Sequence, residues 1–341
     1  MTKKIKKVVT IGGGNGNSML LSGLKHYPIS LSTIVTMSDD GGSSGVLRKE
    51  LGVLPPGDVR QCLLALSDTS DTMRNLMKYR FEEGGLKGHN FGNLFLSALE
   101  KITGDFSVGV SEAAKILKIR GEVIPVTNAN TNLFMLLKNG KLLKGEIKIN
   151  HNLEIEKKGI GKNYLAPRAR ANQKAIESIL EADLVVIGPG NFYCSIMPNF
   201  LVEGISEALR KTKAKVVYNC TLVNKKGHTE KFTLDDYVEK LNEQIGKNRI
   251  DFVTFNTRKP GKKLIAKNEK ELLVNYSPGQ VKKRNYRVIE ADLLSDEKVS
   301  YSKGDAVAAT RTFLLHDSEK LARVLMAILG SKHKESINKI V

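Results

Sequence analysis

Lys6-Lys7-Val8-Val9-Thr10-Ile11 runs directly into Gly12-Gly13-Gly14-Asn15-Gly16-Asn17-Ser18. A short apolar run that breaks into glycines, followed by an apolar-periodic stretch, reads as buried strand, tight turn and helix. Such a turn leaves backbone N–H groups aimed outward, and glycine lets an anion approach them closely. The same design recurs downstream, where Asp183-Leu184-Val185-Val186-Ile187 leads into Gly188-Pro189-Gly190-Asn191-Phe192-Tyr193-Cys194-Ser195. Two such turns predict a ligand with phosphates at the carboxyl edge of a parallel sheet. On the first segment alone, a phosphate loop and a plain turn are equal readings. The dinucleotide fingerprint wants a third glycine where Asn17 stands.

The next strand, Leu31 to Thr36, ends in Met37-Ser38-Asp39-Asp40-Gly41-Gly42-Ser43-Ser44-Gly45. Adjacent carboxylates at a strand's carboxyl end could hold Mg²⁺ against a diphosphate, bond a ribose or act as a base, or could cap the turn. Residues 39–60 read as one long loop ending in Pro55-Pro56-Gly57-Asp58-Val59-Arg60, with Asp58 as a helix N-cap. Arg60 lies in the first turn, where a cation opposes the helix dipole, so it calls for a ligand or a carboxylate partner. His89-Asn90-Phe91-Gly92-Asn93 offers an imidazole and two amides at another helix start. His89 has no second ligand at zinc spacing, which leaves a hydrogen-bonded turn, a ligand contact or a general acid. In the second glycine loop Asn191, Tyr193 and Ser195 can all donate. Cys194 lacks a histidine partner nearby, and no Gly-x-Ser-x-Gly elbow is present.

The chain has 341 residues, 41% hydrophobic and 26% charged, which is an ordinary globular composition. After Met1-Thr2-Lys3-Lys4 the apolar run is too short for a signal peptide, and no stretch could span a bilayer. Cys62, Cys194 and Cys220 are odd in number and lack metal spacing, so they predict reduced thiols in a cytoplasmic protein. The net charge of +18 suggests nucleic acid. However, the basic residues concentrate in Lys138–Lys162, Arg258–Lys263 and Lys282–Arg287, away from the glycine and acid motifs, and no aromatic stripe interleaves them. A solvated lysine-rich surface, without nucleic acid or membrane, is the preferred reading.

Helices alternate with strands over most of the length. The first helix is expected from Ser18 to His26, stopped by Pro28. Others are expected near 59–66, 72–81, 94–102, 108–118, 171–182, 198–211, 234–244 and 317–330. Strands are expected at 121–128, which ends in Thr127-Asn128, and at 184–188, 215–220, 251–255 and 287–291. This pattern predicts an α/β fold: a Rossmann-like, doubly wound, mostly parallel sheet in a single domain over 1–341. Residues 131–163 read as an antiparallel insertion, with a hairpin around Asn139-Gly140 and further short strands at 146–150 and 153–156, solvated and peripheral. Residues 258–341 form a less regular basic part packing on the core.

These motifs, in this order and together with Thr103-Gly104-Asp105-Phe106, resemble the gluconeogenesis factor family (YvcK-like), a branch of the CofD-like superfamily related to 2-phospho-L-lactate transferase. The resemblance covers about residues 5–257. It implies a cytoplasmic protein that binds a UDP-sugar or another nucleoside diphosphate and supports cell shape and wall synthesis during gluconeogenic growth. A protein partner in wall-precursor synthesis and a second copy of the chain are the partners it suggests. The alternative is an Mg²⁺-dependent transferase moving a phospholactyl-type group from a nucleoside diphosphate donor. The site residues implied are Gly12 to Asn17, Asp39 to Ser44, Asp58, Arg60, His89, Asn90, Asn93, Thr127, Asn128, Gly188 to Asn191, Tyr193, Ser195 and, at the nucleotide, Tyr276. Asp39, Asp40 and His89 are the catalytic candidates, and Asp39 and Asp40 the Mg²⁺ candidates. The sequence departs from the family at Asn15, where Thr is usual, and at Asn191-Phe192-Tyr193-Cys194, where Ser-Leu-Tyr-Thr is usual. It also has Leu315 where Arg usually precedes the pair His316-Asp317, with Arg311 the nearest cation.

Overall fold

Val8 to Ile11 and Leu184 to Ile187 are buried at every position, as strands covered on both faces must be. A computed structural model describes residues 4–261, 271–277, 284–296 and 314–331. Its strands are β1 (Lys6–Gly12), β2 (Ile29–Val35), β3 (Glu122–Pro125), β4 (Asn132–Leu137), β5 (Leu142–Lys144), β6 (Ile160–Ala166), β7 (Leu184–Ile187), β8 (Lys215–Asn219), β9 (Val223–Lys225), β10 (Phe252–Asn256), β11 (Glu271–Leu273) and β12 (Arg287–Ala291). Seven of them form one sheet in the order β3-β2-β1-β7-β8-β10-β12, with every pair parallel. The chain winds outward from β1 through β2 to β3, returns to β7 beside β1, and then winds the other way. The crevice between the carboxyl ends of β1 and β7 is therefore the topological switch point, where open α/β sheets bind ligands. Both glycine turns open there.

The helices are α1 (Gly14–Leu24), α2 (Gly42–Leu51), α3 (Gly57–Leu66), α4 (Asp71–Lys78), α5 (Phe91–Thr103), α6 (Phe106–Ile116), α7 (Glu146–Asn150), α8 (Ile155–Lys158), α9 (Gln173–Glu181), α10 (Met197–Phe200), α11 (Ile205–Lys211), α12 (Leu234–Ile245) and α13 (Ser318–Gly330). Several starts are capped by side chains, among them Asn90 for α5, Asp105 for α6, the Thr233/Asp236 capping box for α12 and Asp317 for α13. Leu20, Leu21 and Leu24 pin α1 to the core. Gly23 lets α13 approach so closely that a Cβ there would lie 2.2 Å from the Ser318 carbonyl oxygen.

Five expectations need correction. First, α1 starts at Gly14 and ends at Leu24, before Pro28. Second, residues 39–60 are not one loop, because 42–51 is helical. Gly-Ser-Ser-Gly has little helix propensity, but burial of Ser43, Ser44 and Leu47, a left-handed Gly52 at the C-cap, and Arg48 and Lys49 in the last turn stabilise the helix. Third, Asp58 is not an N-cap. Pro56 holds that position, and Asp58 is the second helical residue. Fourth, the alternating Glu146-Ile-Lys-Ile-Asn150 is a helix, as is Ile155–Lys158, and the third strand of the antiparallel sheet β5-β4-β6 comes later, at Ile160–Ala166. A tertiary contact overrides the period-two pattern there, since Asp40 Oδ1 accepts the Ile147 N–H at 2.9 Å. Fifth, the expected 198–211 helix is broken into α10 and α11, preceded by a π-helical turn over Phe192–Ile196.

In the basic segments, Arg284 and Arg258 are paired with acids of the protein. Arg284 grips Asp235 through two bonds of 2.7 and 2.8 Å, and Arg258 binds Asp292 and Asp296. Lys262, Lys263, Lys282, Lys283 and Arg311 lie outside the described residues.

Candidate functional site at the switch point

The two glycine turns touch. A Cβ on Gly16 would lie 2.3 Å from the Pro189 carbonyl oxygen, and one on Gly190 would lie 3.8 Å from the Gly13 carbonyl oxygen. Asp58 turns back from α3 onto the first turn. Its Oδ2 is 2.5 Å from where a Gly13 Cβ would stand, and its Oδ1 is 3.7 Å from that of Gly14. Ser195 Oγ is 3.9 Å from the same Gly14 position, so both turns and Asp58 border one spot. Ser38 Oγ donates to the Cys194 carbonyl at 3.4 Å, tying the β2 loop to the second turn.

From Asp58 the site continues through Gly57, where a Cβ would meet Ser44 Oγ at 2.5 Å and Asp39 Oδ2 at 2.6 Å. Asp39 Oδ1 accepts the Gly41 N–H at 2.9 Å. Burial pushes the Asp39 carboxyl up. The Gly41 N–H and Ser44 oppose this, the Asp40 charge adds to it, and Arg48 counters it. Arg60 Nε donates to Asn93 Oδ1 at 2.8 Å. Ser43 Oγ lies 3.3 Å from His89 Nδ1 and accepts the Asn90 N–H at 3.2 Å. The predicted Asp39–Ser44, Asp58, Arg60, His89 and Asn93 groups thus form one connected web beside the glycine turns.

Other predicted residues are engaged elsewhere. Asn17 is fully buried and donates to Thr33 Oγ1 at 2.8 Å. Asn90 caps α5 and donates to the carbonyls of Lys78 and Tyr79. Tyr193 packs edge-on to Phe192. Thr127 bonds to the Arg170 carbonyl, and Asn128 to Ser107 and Asp105, at the sheet's β3 edge. Tyr276 packs against Phe255 at the end of β10 and under Arg284, several strands from β1. His316 is buried and bonds to the Cys220 backbone beyond β8; burial pushes its imidazole down to about 4. Burial pushes the thiols of Cys62, Cys194 and Cys220 up, which disfavours the nucleophilic thiolate.

Three residues of this region went unrecognised in the sequence: Glu146, Asn150 and Lys225. The insertion is not peripheral. Gly145 passes so close to Asp40 that a Cβ would lie 1.9 Å from Oδ2. Asn191 donates from Nδ2 to Asn150 Oδ1 at 2.8 Å, and Lys225 Nζ donates to that same oxygen. Glu146 opens the short helix that ends in Asn150. Burial pushes its carboxyl well up, Asp39, Asp58 and Asp40 add to the rise, and Lys225 opposes it. A glycine before an acid at 145–146 was the only local signal, and it is a weak one.

For a metal, no group of three or more His, Cys, Asp or Glu side chains among the described residues is arranged to hold an ion. Mg²⁺ commonly needs only one or two carboxylates when phosphates complete its shell. Asp39, with Oδ2 beside Ser44, fits that limited role. Asp40 is already engaged with the insertion.

A doubly wound sheet whose switch point is lined by two touching glycine turns places the chain among the open-sheet α/β proteins. Comparison with known proteins narrows this class. Residues 8–294 match the family model described as 2-phospho-L-lactate transferase CofD. The gluconeogenesis factor of Bacillus subtilis is 38% identical over 325 residues, covering 95% of this chain and 98% of that protein. The gluconeogenesis factor of Listeria innocua is 36% identical, covering 98% and 99%. A crystal structure of a UPF0052 family member from Bacillus halodurans superposes with a TM-score of 0.86 at 36% identity, covering 95% of this chain and all of that one. The chain belongs to the CofD-like superfamily and, within it, to the gluconeogenesis factor family. No described helix is long and apolar enough to cross a membrane.

Proposed function

We propose that this protein binds a nucleotide sugar of the UDP-sugar type, with the diphosphate over Gly14 and Gly190 at the switch point. The observation that carries the reading is the direct contact between the two glycine turns, with Asp58 and Ser195 bordering the same spot. Backbone N–H groups there suit phosphate oxygens. Mg²⁺, where it takes part, is held by Asp39 together with the phosphates and offsets the charge of the nearby acids. In the cell this reading describes a cytoplasmic protein that supports shape and wall synthesis during growth on gluconeogenic carbon, acting through a partner in wall-precursor synthesis. A second reading, Mg²⁺-dependent transfer from a nucleoside diphosphate donor, is favoured by the raised carboxyls of Asp39 and Glu146, which suit acid–base work.

The test is a thermal-shift and calorimetric panel of UDP-glucose, UDP, GDP and ATP, with and without Mg²⁺. Selective stabilisation by UDP-glucose without its consumption supports the binder. Turnover of a guanosine diphosphate donor supports the transferase, and the absence of any nucleotide response contradicts both.

A further inference from the structure

Three carboxylates, Asp39, Asp40 and Asp58, lie in the web beside a crevice read as taking a diphosphate, and Glu146 is close enough to add its charge to theirs. Their repulsion has to be offset by cations. The arginines at hand already hold other groups of the protein. Arg48 donates to the Asp39 carbonyl at 3.2 Å, to Asn130 Oδ1 at 2.8 Å and to the Thr131 carbonyl at 2.8 Å. Arg60 holds Asn93 and reaches the Met77 carbonyl.

Lys225 differs. It ends β9, beyond the carboxyl end of β8, where Asn219 Nδ2 donates to the Gly188 carbonyl at 3.1 Å. Its ammonium has three N–H donors, and one goes to Asn150 Oδ1. The same oxygen accepts from Asn191, whose Oδ1 in turn caps the Cys194 N–H at 3.3 Å. The lysine is thereby fixed against the second glycine turn. Among the described residues it makes no ion pair: Glu146 acts on it only through space, and the neighbouring Cys194 is a fully buried thiol that burial keeps neutral. Among the described residues this half-buried ammonium has no hydrogen-bond partner besides Asn150, so its remaining donors are open to solvent or to an entering anion.

We propose that Lys225 is a phosphate contact of this site, positioned by Asn150, so that the insertion supplies part of the ligand's charge recognition. The proposal rests on the diphosphate reading above and names the residue that distinguishes a charged ligand from a neutral one. Through Asn150, an anion on Lys225 also bears on the insertion helix that Asp40 holds at its other end.

The experiment is calorimetric titration of wild type, Lys225→Met, Lys225→Gln and Asn150→Ala with inorganic pyrophosphate, UDP-glucose and uridine, at one ionic strength. Both lysine variants should bind pyrophosphate and UDP-glucose roughly 10–100-fold more weakly, with uridine unchanged, as for loss of a charge-assisted hydrogen bond. Asn150→Ala, which leaves the lysine in place but unheld, should lose less. Unchanged affinity in a folded lysine variant, or an equal loss for uridine, overturns the proposal. Lys225-dependent binding of pyrophosphate without binding of UDP-glucose keeps the lysine assignment and overturns the nucleotide-sugar reading. Failure of the wild type to bind either anion overturns both.

Discussion

The two glycine turns look alike on paper and are built for different reasons. In the first, Gly13 and Gly16 answer to the protein. A Cβ on Gly13 would lie 2.5 Å from both Asp58 Oδ2 and Thr36 Cγ2, and one on Gly16 would strike the Pro189 carbonyl. In the second, a Cβ on Gly190 meets nothing closer than Ser195 Cβ at 3.3 Å, and the left-handed backbone belongs to Gly188, at φ 73°. The first turn is closed by packing at Gly13 and Gly16, while Gly14, at φ 62°, stays open. The second is open at its tip and held at its side by Asn191, Asn150 and Lys225. A run of glycines therefore reports two demands at once, close chain-to-chain approach and room for a ligand, and only the structure separates them.

That comparison can be broken by substitution. Gly16→Ala should show the largest effect. The obstruction is a backbone carbonyl, which cannot rotate away, so the turns must part, costing about 3 kcal/mol by analogy with overpacked cores. Chemical denaturation measures this directly, and a wild-type midpoint would mean that the turns are not locked together. A smaller effect is expected from Glu146 through pH. Its folded carboxyl is raised, so between the ordinary carboxylate range and that raised value the native state binds more protons than the unfolded one. The stability contributed is full below the unfolded value and is lost as pH rises through the folded value. Denaturation midpoints across pH 4–8 should fall less with rising pH in Glu146→Gln than in wild type. Parallel curves would show that Glu146 is not held near the acids.

Much of the sheet was legible, because fully buried parallel strands are uninterrupted apolar runs and their turns are punctuated by glycine. The web of Asp39, Asp58, Arg60, His89 and Asn93 was legible as motifs, although its partners were not. Arg60 meets an amide 33 residues away, and Asp58 faces glycine rather than capping its own helix. The insertion misled most. Glu146-Ile-Lys-Ile-Asn150 alternates like a strand, and nothing local announces that Asp40, 107 residues earlier in the chain, will cap it as a helix. Lys225 was hidden among basic residues that sequence alone treats as solvated surface. Tertiary contacts across such distances decide which of many lysines is buried.

The central claim is that phosphates bind where the two turns meet, and Gly190→Val tests it most directly. The backbone at Gly190 does not need glycine's left-handed conformation, so valine acts by filling the approach to the N–H groups and pressing on Ser195. Loss of two charge-assisted bonds, each worth roughly 1.5–3 kcal/mol, should weaken binding of UDP-glucose by about 10²-fold or more. Calorimetric titration of the folded variant beside wild type gives the answer. A loss of that size, with denaturation stability falling far less, is the predicted result, and equal affinities would contradict the placement of the ligand at the switch point.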